Sequence, residues 1–138
     1  MTTTFKGSQI VSNFKRELEN QFKLSVKFTS VSRQVFELEG VNKCLLYVKA
    51  RPAHPIKWGV TANVINRLKD QKLPWAVILL FLSHESGYLL LPHDVEYYIK
   101  NVWPRGSDGD YKPSEGNYLS RNKPFNSTVS LMEELKKI

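Results

Sequence analysis

The sequence predicts a mixed α/β (α+β) fold, a central mixed sheet with helices on its faces in the core order αβββαβ. Three observations predict it. Apolar residues recur at helical spacing between Ser8 and Phe22 and again after Thr61. Between those two stretches lie short runs with strand character. The apolar run from Trp75 to Leu82 then follows the second helix, as a buried strand does in a helix-crossover unit.

In order, Ile10, Val11, Phe14, Leu18 and Phe22 define the first helix, with Ser8 as the expected cap and Lys15, Arg16 and Glu19 on the outer side. Leu24 to Thr29 alternates apolar and polar, the period of a half-buried strand. Val35 to Glu39 and Cys44 to Val48 are the next two strands, joined by a hairpin turn at Gly40-Val41-Asn42-Lys43. The near-continuous apolar character of the third places it centrally in the sheet. Pro52 and Pro55 keep Arg51 to Val60 irregular, since each removes an amide donor. Thr61 caps a helix that uses Val64, Ile65 and Leu68. Trp75 to Leu82 pairs with Gly87 to Leu91 through the turn Ser83 to Ser86, and Asp94 opens a short helix with Val95, Tyr98, Ile99 and Val102. Residues 104–125, rich in Pro, Gly, Ser, Asp and Asn, read as a loop. Ser130 and Glu133 are spaced like a capping box for a last helix that buries Leu131, Met132 and Leu135. The 138 residues form one domain, with a core of about 5–100 and a C-terminal loop and helix over 101–138.

With 41% hydrophobic and 24% charged residues, a disordered tail protein is excluded. The net charge of +7 favours a polyanionic partner, nucleic acid or an anionic surface. A membrane-spanning helix needs about 20 apolar residues, far more than the run at Trp75 supplies, so no membrane partner is expected. The opening MTTTFKGS lacks a secretory apolar stretch, and Cys44 is the single cysteine, which together point to the cytoplasm. His54, His84 and His93 have no metal-ligand spacing, and Asp108-Gly109-Asp110 lacks the remaining ligands of a calcium loop, so no metal site is assigned.

The hairpin carries the candidate chemistry. With a two-residue turn at Val41-Asn42, Gln34 opposes Lys49 and Phe36 opposes Tyr47, and these four side chains share a face. A lysine ending a buried strand must reach water, an anion or a carboxylate. Lys49, Arg51 and Lys57 then cluster with Trp58, an arrangement that either contacts phosphates and stacks on a base, or leaves Trp58 packed on the core beneath a solvated loop.

FKGSQIV at the first helix, VFELEGVNKCLLYVKAR across the hairpin and WAVILLFL after the second helix carry a resemblance over Phe5 to Ile99. The layout resembles the PD-(D/E)XK nuclease superfamily, and within it the small archaeal Holliday-junction resolvases. That resemblance implies a restriction-endonuclease-like core, DNA as partner, a homodimer, and in active members Mg²⁺ held by carboxylates beside a catalytic lysine. Lys49 matches that lysine. Tyr47 stands where the second acid belongs, Gln34 near the first, and Val11 or Ser12 where a helix acid would fall. Neither Tyr nor Gln supplies the anionic oxygens that Mg²⁺ favours.

The resulting expectation is a nuclease-fold protein that binds DNA, or another structured nucleic acid, through Gln34, Tyr47, Lys49, Arg51, Lys57 and Trp58 and cuts it poorly or not at all. The first alternative is a Mg²⁺-dependent endonuclease or resolvase with a relocated acid, Glu37 working with Lys49, although strand parity turns Glu37 and Glu39 to the opposite face. The second is a non-catalytic protein-interaction subunit of a defence or mobile-element system.

Overall fold

The computed structural model of the protein describes residues 6–40 and 43–137. Helix α1 (Gly7–Asn20) is followed by strands β1 (Ser25–Phe28), β2 (Val35–Glu39) and β3 (Lys43–Arg51), then a short β4 (Val60–Thr61) running into α2 (Ala62–Lys69). Strands β5 (Trp75–Phe81) and β6 (Gly87–Leu90), helix α3 (Pro92–Asn101), a short β7 (Asp110–Tyr111), a 3-10 turn at Asn117–Leu119 and α4 (Thr128–Leu135) complete the chain. The main sheet has the order β1-β2-β3-β5-β6, antiparallel except for the parallel β3–β5 pair that the α2 crossover creates. This is the expected mixed α/β architecture, with β3 in the middle as its apolar run predicts.

The sheet is covered on both faces. On one, Ile10, Phe14 and Leu18 of α1 and Leu131, Met132 and Leu135 of α4 bury Phe36, Leu46, Val48, Ile78 and Leu80. On the other, Val64, Ile65 and Leu68 of α2 and Val95 and Tyr98 of α3 bury Val35, Leu45, Tyr47, Val77 and Leu79. Trp103, Leu119 and the α4 residues are buried too, so the segment beyond residue 100 is built into the core. Within the expected loop at 104–125, β7 pairs with β4, Val60 opposite Tyr111 and Thr61 opposite Asp110. Among the described residues, no helix is long and apolar enough to cross a membrane.

Four local expectations are corrected. The β2–β3 register is one step off: Val35 opposes Tyr47 and Phe36 opposes Leu46. The last pair is Glu39 with Lys43, which leaves three intervening residues rather than two, and an odd change in loop length shifts the register by one. Val41 and Asn42, assigned to the turn, lie outside the described residues. Phe36 therefore faces α1 while Tyr47 faces α2. Secondly, α1 starts before Ser8, at Gly7, where the Gln9 side chain accepts from the Lys6 amide. Thirdly, α3 starts at Pro92, and Asp94 sits inside its first turn, accepting from the Leu91 amide at 3.1 Å. Finally, the α4 cap is Ser127, whose hydroxyl accepts from the Ser130 amide at 3.2 Å, in place of Ser130.

Candidate nucleic-acid interface

At the C-terminal end of β3 the apolar pattern stops and Lys49, Ala50 and Arg51 are half-buried. The start of α1 crosses here closely enough that a β-carbon on Gly7 would touch the Ala50 carbonyl at 3.4 Å. Between the helix and the ends of β1, β2 and β3 lies a hollow of about 350 Å³. Its helix wall is the stripe Ser8, Val11, Ser12 and Lys15, which share one side because they recur every three to four residues. Its sheet wall comprises Phe28, Gln34, Phe36, Val48 and Lys49, with Arg33 at the rim.

The electrostatics of this hollow are one-sided. Lys15, Arg33 and Lys49 line it, and among the described residues no carboxylate does. Gly7 and Ser8 bring the first turn of a 14-residue helix to it, where backbone amides point outward and the helix dipole favours an anion. Gln34 stands opposite Val48 and not Lys49, as the shifted register requires, yet the two side chains meet: the Lys49 ammonium donates to Gln34 Oε1 at 3.1 Å. Burial pushes the Lys49 pKa below its ordinary value; the Asp110 carboxylate raises it and Lys112 lowers it further. An amide oxygen satisfies the ammonium without neutralising it. Lys15 is partly answered by Glu19 at 3.1 Å, a half-exposed pair of small worth.

Phe28 is the aromatic of the site. It is 68% exposed, packs against Phe36 with ring centroids 5.3 Å apart, and has the Lys15 ammonium 5.7 Å from its ring centre. An open ring beside a cation is the arrangement that stacks on a base and holds its phosphate.

The other predicted residues are placed elsewhere. Trp58 is only 4% exposed, and its indole N–H donates to the Leu80 carbonyl at 2.8 Å, so it packs on the core and does not stack on a ligand. Tyr47 is fully buried, with its hydroxyl accepting from the Thr61 amide at 3.2 Å; burial raises its pKa, and it offers no surface hydrogen bond. Arg51 turns its Nε to the Ala53 and Pro55 carbonyls, both at 3.0 Å, and so holds the adjoining loop. Lys57 is exposed where the chain bridges to Ser114, away from the hollow's lining. Glu37 lies on the Lys49 face, contrary to the parity expectation, because of the shifted register. It opposes Leu45, four residues or about 13 Å along β3 from Lys49, and pairs with Lys43 at 3.4 Å.

The acid that bears on Lys49 is Asp110, delivered from β7. Asp110 has its own cation, Lys112 at 3.8 Å. The residues present do not fit a Mg²⁺ ion beside Lys49. Such a site needs one or two carboxylates together with substrate phosphate, and Asp110 is a single, already paired acid outside the hollow's lining.

Sequence reasoning missed Phe28 and Arg33 as site residues, took Ser8 only as a helix cap and Lys15 only as outer-face charge, and reached Ser12 only through the resemblance, as the place of a helix acid. The helical stripe 8–11–12–15 was available as a signal, since its apolar member is flanked by hydroxyls and a lysine. The exposure of Phe28 was not, because an apolar residue in an alternating strand reads as core. No protein-family model, curated protein or solved structure matches the chain.

Proposed function

We propose that the protein binds nucleic acid, DNA first, at the hollow beside Lys49, and holds it without cutting it. On this reading it is a nuclease-fold protein of the PD-(D/E)XK kind whose acids have given way to neutral and cationic groups. The observation that supports it most is the lining: three cations, two serine hydroxyls, an amide and a helix N-terminus, with no carboxylate among the described residues. Phosphate oxygens suit every one of those groups, and the half-buried Lys49 ammonium is met by an amide oxygen and, among the described residues, by no ion-pairing carboxylate.

Lys49, Arg33 and Lys15 neutralise successive phosphates, the hydrogen bond to Gln34 ties the Lys49 ammonium to the hollow's lining, and Phe28 stacks at its edge. The same reading places the protein in the cytoplasm and allows two copies to share one duplex. Binding of labelled duplex and four-way-branched DNA, followed by fluorescence anisotropy across a salt series, tests it. The expected result is affinity that falls steeply with salt for both DNAs. Affinity indifferent to salt, or a stoichiometric protein partner that co-purifies with no nucleic acid retained, overturns it and favours the interaction-subunit reading.

A further inference from the structure

On the opposite flank of α1 from the Lys49 hollow, the helix meets the β5–β6 turn. Glu17 projects from α1, and His84 and Glu85 come from the turn, so that one ligand atom from each lies within 4.8 Å of the others. The Glu17 carboxylate is held from behind: its Oε1 accepts from the Thr128 hydroxyl of α4 at 3.1 Å. Its Oε2 is buried and has no hydrogen-bond partner, although His84 Nε2 is 2.6 Å away. A buried carboxylate oxygen is costly unless a donor or cation answers it, and here the His84 imidazole stands within ion-pairing distance. The nitrogen and oxygen thus approach closely without forming a directed hydrogen bond. A small cavity of about 360 Å³, walled also by Asn13, Arg16 and Asn20, gives the cluster an open side.

We propose that Glu17, His84 and Glu85 form a binding site for a borderline divalent transition metal of the zinc class, which ties α1 to the β5–β6 turn. One imidazole and two carboxylates are a zinc-type ligand set with a position left for water. Two ligand atoms on a tetrahedral zinc stand about 3.3 Å apart, given metal–ligand bonds of about 2.0 Å. The Glu17–His84 pair therefore has to open by under 1 Å, within reach of small side-chain rotations. The Thr128 hydroxyl donates to the carboxylate from behind and so orients it. Hard cations such as Mg²⁺ and Ca²⁺ are disfavoured because one of the ligands is an imidazole nitrogen. The site lies away from Lys49 and owes nothing to the nucleic-acid reading.

The test uses the full chain, stripped with a chelator and titrated separately with Zn²⁺, Co²⁺ and Mg²⁺ by calorimetry, with the visible absorption of Co²⁺ as a second readout. The expected result is one Zn²⁺ per chain, a Co²⁺ band typical of low coordination number, and a higher thermal midpoint with Zn²⁺. Mg²⁺ should produce none of these. His84→Gln and Glu85→Gln should each weaken Zn²⁺ by about tenfold or more, as should Thr128→Val, which removes the hydrogen bond that orients the Glu17 carboxylate. His54→Ala and His93→Ala should leave binding unchanged. Absence of Zn²⁺ binding in the native chain overturns the proposal and leaves a plain His84–Glu17 contact. Binding that survives His84→Gln, or that is lost with His54→Ala, overturns it equally. If Glu17→Gln fails to fold, the His84 and Glu85 variants, both on the turn, still decide the matter.

Discussion

Replacing Lys49 by methionine separates what the fold needs from what the site needs. The lysine stem is kept in length and apolar character, and only the ammonium is lost. Burial lowers the pKa of Lys49 in the folded protein, so the unfolded chain holds that proton more tightly. The resulting destabilisation is fully present at neutral pH and is relieved as pH climbs through the folded pKa towards the ordinary lysine range. Lys49→Met removes it at every pH, at the loss of one exposed hydrogen bond to Gln34. The thermal midpoint at neutral pH should therefore stay level or rise. DNA binding should fall. Three cations line the hollow. If each answers one phosphate, the slope of log affinity against log salt is about −2.7, and affinity drops about 40-fold between about 50 and 200 mM salt. With Lys49 gone the slope becomes about −1.8 and the same step costs about 12-fold. Anisotropy titrations of the native chain, Lys49→Met and Lys100→Met, an exposed α3 lysine on the other face, read both numbers. A Lys49→Met slope equal to that of the native chain, or an equal loss in Lys100→Met, refutes the assignment of Lys49 to a phosphate.

The two aromatic residues should behave in opposite ways. Phe28→Ala should weaken binding to single-stranded or branched DNA by about 1–3 kcal/mol while barely moving the melting midpoint. Trp58→Ala, which empties a buried indole site, should cost about 3–5 kcal/mol of stability by denaturant titration. Supercoiled DNA incubated with the protein and Mg²⁺ or Mn²⁺ should remain unnicked on a gel. Nicking that vanishes with Asp110→Asn would instead make Asp110 and Lys49 a working pair. Cys44 is buried and its thiol pKa is pushed up by that burial, so a thiol reagent should label it only once the chain is unfolded.

Much of the scaffold was legible because periodicity and burial agree. The spacing of Ile10, Phe14 and Leu18, the continuous run of β3, and the Pro-bounded break after Arg51 each had one physical solution. The β2–β3 register was not legible. It depends on whether two or three residues make the turn, and Gly40 to Lys43 accommodates either. That single step parted Phe36 from Tyr47 and brought Glu37 to the Lys49 face without bringing it within reach.

The site itself was half legible. Gln34 and Lys49 meet because the Gln34 carbonyl accepts from the Val48 amide, which sets Gln34 beside the next residue of β3. Trp58 could be weighed only as core or contact, since an indole serves both, and the hydrogen bond to Leu80 is a tertiary fact. The influence of Asp110 on Lys49 lies further from sequence reach. It depends on β7 returning to pair with β4 across a separation of about fifty residues, through a segment whose composition reads as loop.

Amide chemical-shift mapping of the protein with a short DNA duplex tests the central claim most directly. The account predicts that the largest changes fall on Gly7, Ser8, Arg33, Gln34 and Lys49, the groups around the hollow between α1 and the ends of β2 and β3. Unmoved signals at those five positions, with the changes gathered on α2 or α3 instead, would contradict it.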